Sequence, residues 1–286
     1  MITAEFDYQA AISIDEVIRL LHDGPEDVKI VAGGMSLVPM LGLGLLTPKT
    51  LIGLRQVPEL NEVYELPDFL IVGSMVRHSK VVVDSLISGL APLLSMAASL
   101  IGDVQVRNCG TIGGSLAHAD PAANYWPAVV ALDAEIELAG PLGRRTLSAR
   151  SFVCGVMTTQ LENDEVIVSV RIPKDKGTRG YGFRKFARVR GNYPIICSAA
   201  VVDGVSGACR IVVGGATAVP AMIEVAVGES QDLIDIADRV RAEIRDPLED
   251  QNGDAEYKRE MAVVFGMRAL ADARVNACAR SQQDGL

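Results

Sequence analysis

The residues in this chain best suited to chemistry are two glycine turns, which carry neither a nucleophile nor a metal ligand. The stretch Arg107 to Asn124 reads R-N-C-G-T-I-G-G-S-L-A-H-A-D-P-A-A-N, a Gly pair among small hydroxyl and amide side chains with almost no bulk. Backbone without Cβ atoms can press its N–H groups against an anion. The same pattern stands upstream, where the apolar run Val28 to Ala32 reads as a short strand followed at once by Gly33-Gly34-Met35-Ser36. Two such turns predict one anion, a phosphate or pyrophosphate, gripped from both sides. An apolar helix over Ala122 to Leu132 would direct its first amides to the same place. Spacing alone goes no further, because a Gly-Gly after a strand is also an ordinary tight turn. Neither G-x-x-x-x-G-K-[ST] nor a strand-G-x-G-x-x-G-helix unit is present.

Other chemistries find little support. The five cysteines, Cys109, Cys154, Cys197, Cys209 and Cys278, are scattered and form no C-x-x-C, so neither a disulfide framework nor a zinc or iron–sulfur site is expected. His118 reads as structural. With a formal net charge of -9, the chain is not expected to bind nucleic acid, which needs a clustered basic surface. The one basic concentration is Arg179 to Arg190. The uncharged stretches Ile30 to Pro48 and Leu86 to Gly102 are broken by Gly and Pro, so no membrane span is expected. Met1 to Asp7 lacks the basic and apolar regions of a signal peptide, which makes the cytoplasm the expected compartment.

The elements that must position the turns follow from periodicity. The 286 residues suit one large or two to three small domains. Ser13 to Glu16 has capping-box spacing, and Ile14, Val17, Ile18 and Leu21 recur at helical spacing, with a stop near Asp23-Gly24-Pro25. The strand Val28 to Ala32, a short helix Leu37 to Leu41 and a strand Thr50 to Leu54 complete an α/β unit closed before Pro58. A second unit carries strands Phe69 to Gly73, Glu135 to Leu138, Thr146-Leu147 and Val166 to Ile172, and a helix Ala91 to Ile101. It reads as a mixed sheet interrupted by the central loop. After a polar linker, Lys174 to Gly177, three strands follow: Tyr181 to Phe186, Cys197 to Val202 and Cys209 to Val213. The helices Leu233 to Ile244 and Glu256 to Ala279 end the chain.

These residues resemble a known family, the FAD-binding medium subunits of molybdenum hydroxylases, over essentially the whole chain. The resemblance is carried by Ala32-Gly33-Gly34-Met35-Ser36-Leu37, by Thr111-Ile112-Gly113-Gly114-Ser115 with the trailing Ala117 to Ala123, and by Lys185-Phe186-Ala187-Arg188 with Gly191-Asn192-Tyr193 beyond. It implies an α+β chain of three parts. Residues 1–57 and 58–175 would form a two-part FAD-binding domain of the vanillyl-alcohol-oxidase type. Residues 176–286 would form a three-stranded antiparallel sheet with helices.

The resemblance further implies a flavoprotein oxidoreductase subunit of the xanthine dehydrogenase family, with FAD bound non-covalently. Both glycine turns would hold the pyrophosphate through backbone N–H groups, and Ser36, Thr111 and Ser115 would add hydroxyl donors. Asp120 belongs to the same matched stretch. Asn124 stands where the family usually has Asp, so a hydrogen bond to the ribityl chain or ring edge is kept without the charge. Met35 replaces a usual His or Gln and removes a candidate for covalent attachment. Tyr193 is placed either against the flavin ring or in a partly buried turn. Lys185 is placed either near the ring or as a solvated strand lysine. The Arg179 to Arg190 run could alternatively dock an acidic partner.

A large molybdopterin-binding subunit and a small [2Fe-2S] subunit are the implied partners, in a dimer of heterotrimers. The large subunit would hydroxylate the substrate, with an N-heteroaromatic favoured over an aldehyde or CO. Electrons would then pass through [2Fe-2S] to this chain and on to an external acceptor. No residue of this chain is read as catalytic or as a metal ligand. The rival readings are a stand-alone FAD-dependent oxidoreductase and a cofactor-less scaffold of the same fold.

Overall fold

The structure, a computed structural model, describes residues 5–24, 27–175, 179–229 and 232–283. Its first region runs β1 (Asp7–Ala10), α1 (Ile14–His22), β2 (Val28–Val31), α2 (Leu37–Gly42) and β3 (Thr50–Gly53). The strands form a parallel sheet in the order β1-β3-β2. β1 escapes sequence reading because all four of its residues are exposed, so no alternation marks it. The capping box is present in a shifted form. Ser13 Oγ accepts from the Glu16 N–H at 3.1 Å, while the Glu16 carboxylate accepts from Ile12 rather than Ser13, at 2.9 Å. Pro25, part of the expected stop, lies outside the described residues. Because β2 and β3 run parallel, the Gly33 turn and the segment around Arg55 leave the same edge of the sheet, the edge at which α/β units place ligands.

The second region begins with a 3₁₀ turn (Pro58–Asn61), β4 (Val63–Glu65) and β5 (Phe69–Gly73). Six helices follow: α3 (His78–Val83), α4 (Ser85–Leu90), α5 (Pro92–Ser99), α6 (Val104–Cys109), α7 (Ile112–His118) and α8 (Tyr125–Ala131). Then come β6 (Glu135–Gly140), β7 (Gly143–Ser148), α9 (Ala149–Phe152), the small pair β8 (Val153–Gly155) and β9 (Thr158–Thr159), and β10 (Val166–Pro173). The sheet order is β4-β5-β10-β6-β7, and every pairing in it is antiparallel. The expected mixed sheet is therefore corrected, since parallel strands are confined to the first region. The expected central loop is also corrected, because Thr111 to Ser115 opens helix α7. The helix expected from Ala122 starts at Tyr125, because Asp120 Oδ1 accepts from the Ala122 N–H at 2.8 Å and holds a turn there.

The third region has four strands, not the expected three: β11 (Arg179–Phe186), β12 (Ile196–Asp203), β13 (Cys209–Gly214) and β14 (Ala221–Val225), antiparallel in that order. The fourth is five residues directly behind Pro220, too short to show a period. Of the linker read over Lys174 to Gly177, Lys176 and Gly177 lie outside the described residues. Helices α10 (Leu233–Glu243) and α11 (Ala255–Gln283) cover one face. Gly180 and Gly182 let α11 sit directly on β11, since a Cβ on either would collide with the carbonyl oxygen of Ala273 or Ala269. All seven residues of α8 are buried. The core around it takes side chains from the second sheet (Leu70, Val72) and the third (Tyr181, Phe183, Cys197), so the third region is packed onto the helices that carry the site.

Candidate cofactor site

The two glycine turns meet. A Cβ placed on Gly33 would collide with the Cys109 carbonyl and come within 2.7 Å of Gly110 Cα. One placed on Gly114 would stand 3.4 Å from Ala32 Cβ. The segments are more than 70 residues apart in sequence and touch backbone to backbone, a contact that only residues without side chains permit.

Their amides differ. The N–H groups of Gly33, Gly34, Met35, Ser36 and Leu37 find no acceptor among the described residues. Gly34, at φ +71°, folds the turn so that its own carbonyl receives the Val38 N–H at 2.9 Å. Such a run of unpaired donors calls for water or an anion. In the second turn Ile112 donates to Val76 O at 3.0 Å, Gly113 to Ser74 O at 2.8 Å, Gly114 to Thr111 Oγ1 at 3.2 Å and Ser115 to Thr111 O at 3.0 Å. The expectation that both turns grip an anion through their amides is corrected for this one: its amides from Ile112 to Ser115 are spent in opening α7. What it offers is its glycines' thinness and the half-buried Ser115 hydroxyl, which has no partner among the described residues.

Three further residues converge from elsewhere. The Tyr193 hydroxyl lies near the Ser36 side chain, and its phenol pKa is raised by burial and by the Asp120 charge, the Ser36 side chain opposing. The residue as a whole is 57% exposed. Its hydroxyl end is therefore turned inward against the first turn while a ring face stays open. Lys185 donates to Leu100 O at 2.8 Å, and burial lowers its pKa. It faces the buried thiol of Cys197, whose pKa burial pushes up to about 12. Ser36, Tyr193, Asp120, Cys197 and Lys185 thus form one electrostatic neighbourhood linking the first turn to the third sheet. Met35 stands partly exposed beside it. Asn124 is buried, and its Nδ2 donates to Ala97 O at 3.0 Å, tying α5 to the start of α8.

Sequence reading missed His78 and Tyr125. His78 Nδ1 lies 3.0 Å from the Tyr125 hydroxyl, both side chains are buried, and a Cβ on Gly110 would come within 2.6 Å of His78 Nε2. The imidazole is wedged behind the backbone that receives Gly33. Burial, reinforced by the Arg107 charge, lowers its pKa to about 4, and burial raises that of Tyr125. Only the scarcity of histidine, three in the chain, could have drawn notice to it.

Residues 4–175 match the family described as the FAD binding domain in molybdopterin dehydrogenase. The chain belongs to this family. It is 34% identical over 280 residues to the carbon monoxide dehydrogenase medium chain of Hydrogenophaga pseudoflava, covering 94% of this chain and 97% of that one. It is 35% identical over 276 residues to the nicotine 6-hydroxylase medium subunit of Paenarthrobacter nicotinovorans, covering 93% and 96%. The solved carbon monoxide dehydrogenase of Hydrogenophaga pseudoflava superposes with a TM-score of 0.91 over 96% of this chain and 99% of that one, at 34% identity. Quinoline 2-oxidoreductase of Pseudomonas putida 86 gives 0.89 over 97% and 99%, at 32% identity. This medium subunit is thus the FAD-binding component of a multi-subunit molybdenum hydroxylase. Among its described residues no helix is long and apolar enough to cross a membrane.

Proposed function

We propose that Gly33 to Leu37 hold the diphosphate of a non-covalently bound FAD through their unpaired amides. On this reading Thr111 and Ser115 contribute hydroxyls, and Gly113 and Gly114 contribute the clearance that lets the two segments close. The observation that carries the reading is the run of unsatisfied donors at Gly33 to Leu37, in a turn whose Gly33 meets the backbone of Cys109 and Gly110. These donors fit a diphosphate because they match an anion without cations. Ala32 packs against Gly114. Asp120 and Asn124 set the turn and helix behind the site rather than supplying charge to the diphosphate. Tyr193 and Lys185 extend the site toward the redox ring, where Lys185 contributes positive potential and Tyr193 an aromatic face.

Bound FAD supplies the ability to take up electrons singly and release them in pairs. The chain's own residues bind it, orient it and keep water from its buried side. The partners in this reading are a large molybdopterin-binding subunit, where an N-heterocycle or comparable substrate is hydroxylated, and a small [2Fe-2S] subunit. The assembly is a dimer of heterotrimers in the cytoplasm. Relatives named for carbon monoxide, nicotine and caffeine support a medium subunit whose own site is indifferent to the substrate.

The test is purification of the complex for wild type and Gly114→Leu. Wild type should carry one flavin per medium subunit, and the variant should keep its partners and lose flavin. Flavin retained by Gly114→Leu sinks the assigned site. Turnover of an organic substrate by the isolated chain, without molybdenum, would favour a self-sufficient oxidoreductase.

A further inference from the structure

We infer that Arg55, Arg77 and Lys80 form a pocket that docks an acidic segment of a partner subunit, an inference that rests on the reading of this chain as one member of a complex. The three cations line a depression of about 320 Å³ with Asn61, over a floor of Met75 and Val76. It sits at the seam of the first two regions. Arg55 follows β3, and Arg77 pairs by an isolated bridge with Thr111 of the glycine turn.

The cations are unspent. Neither the Arg55 nor the Arg77 guanidinium has a hydrogen bond or ion pair to any described residue, and the Lys80 ammonium reaches only the Asn61 carbonyl, at 3.4 Å. Elsewhere guanidinium groups are consumed internally: Arg144, Arg145, Arg171, Arg210 and Arg241 each hold a carboxylate. Much of the basic run that the sequence offered as a docking face is engaged too. Arg179 pairs with Asp175 and Arg184 with Asp272, and Arg188 donates to Gln251 O. Of the nearby carboxylates, Glu59 is held by Arg144 and Glu62 does not line the pocket. In a chain of net charge -9, an uncompensated triad of cations is a feature to be explained.

Its openness decides the occupant. Arg55, Asn61, Arg77 and Lys80 are all exposed, so a small free anion would stay hydrated and screened and gain little. Carboxylates carried on a protein surface would be desolvated as that surface closes over them. Guanidinium forks then become strong and orienting partners.

The experiment isolates the complex through a tag on this chain, as wild type, Arg55→Gln/Arg77→Gln and Arg55→Glu/Arg77→Glu, and follows dissociation against NaCl with flavin content measured alongside. The glutamate pair should weaken assembly on the order of tenfold per arginine. The glutamine pair should fall between and flatten the salt dependence, and both should keep flavin. Assembly and salt dependence unchanged in both variants overturn the inference while leaving the subunit reading intact. A wild-type chain that brings down no molybdopterin- or iron–sulfur-binding chain overturns both. Thermal stabilisation of wild type, but not of the glutamine pair, by millimolar inorganic phosphate would make this a small-anion site and also overturn it.

Discussion

Acid should open this protein at His78. The residue is buried against Tyr125 and Gly110 with its pKa held at about 4 against an ordinary 6.5, so the folded chain accepts this proton later than the unfolded chain does. A base depressed in this way contributes stability that is complete above pH 6.5 and is lost as pH falls toward 4. The size follows from linkage. Each unit of pKa difference is worth about 1.4 kcal/mol, so about 2 kcal/mol is gone by pH 5 and about 3 kcal/mol by pH 4. Against a typical total of about 5–15 kcal/mol, that is a large share. The protonated ring would stand beside Arg107 and lose its acceptor role toward the Tyr125 hydroxyl. It would press on the backbone that receives Gly33.

The assay is urea unfolding of wild type and His78→Gln at pH 7, 6 and 5. The glutamine can still meet the Tyr125 hydroxyl but does not titrate. The variant should be less stable at pH 7 by roughly 1–3 kcal/mol, the cost of a poorer buried hydrogen bond and altered packing. That deficit should shrink by about 2 kcal/mol at pH 5. Carboxylates that the fold holds low, such as Glu165 beside Arg145, lose their contributions in both proteins and cancel in the difference. Parallel stability curves between pH 7 and 5 would refute the argument. Flavin fluorescence offers a second reading: release on acidification should begin at a lower pH in the variant.

Three other outcomes follow from the close contacts. Gly33→Ala should lower the flavin-to-protein ratio and cost about 1–3 kcal/mol by overpacking against Cys109 and Gly110; a variant with full flavin would show that the segments have room to part. Gly182→Ala, which drives a methyl into the Ala269 carbonyl, should cost at least as much in unfolding free energy while leaving flavin affinity per folded molecule unchanged. Tyr193→Phe removes the hydroxyl beside Ser36 and should shift the flavin Kd by roughly twofold to tenfold, the size of one hydrogen bond; an unchanged Kd would remove the hydroxyl from the site.

What could be read from the sequence was whatever is written in local pattern. Ser13 with Glu16 marks a helix start because both capping arms lie within four residues. The apolar run Val166 to Ile172 marks a strand because it lies in the middle of its sheet, between β5 and β6, with every residue but Arg171 buried. The glycine turns were visible as composition, and the family resemblance located them. Hidden were features that distant residues create. The His78–Tyr125 pair spans 47 positions with no motif at either end. Helix α7 holds two glycines, poor helix formers costing about 1 kcal/mol each, and reads as a loop until Ser74 and Val76 are seen to take its first amides.

That last point changes how the two glycine pairs should be compared. Similar in composition, they answer to different constraints. Gly34 is held at φ +71°, so any side chain there strains the backbone regardless of space. Gly33 and Gly113 have no such φ and are fixed by crowding, the latter 2.8 Å from Ser74 O at the Cβ position. Because the downstream segment spends its donors on its own helix and on Ser74 and Val76, just beyond β5, the unpaired donors are those of the upstream run from Gly33 to Leu37. A chain of net charge -9 can then accept a diphosphate without a basic pocket, and the unpaired cations of Arg55, Arg77 and Lys80 are not needed for it.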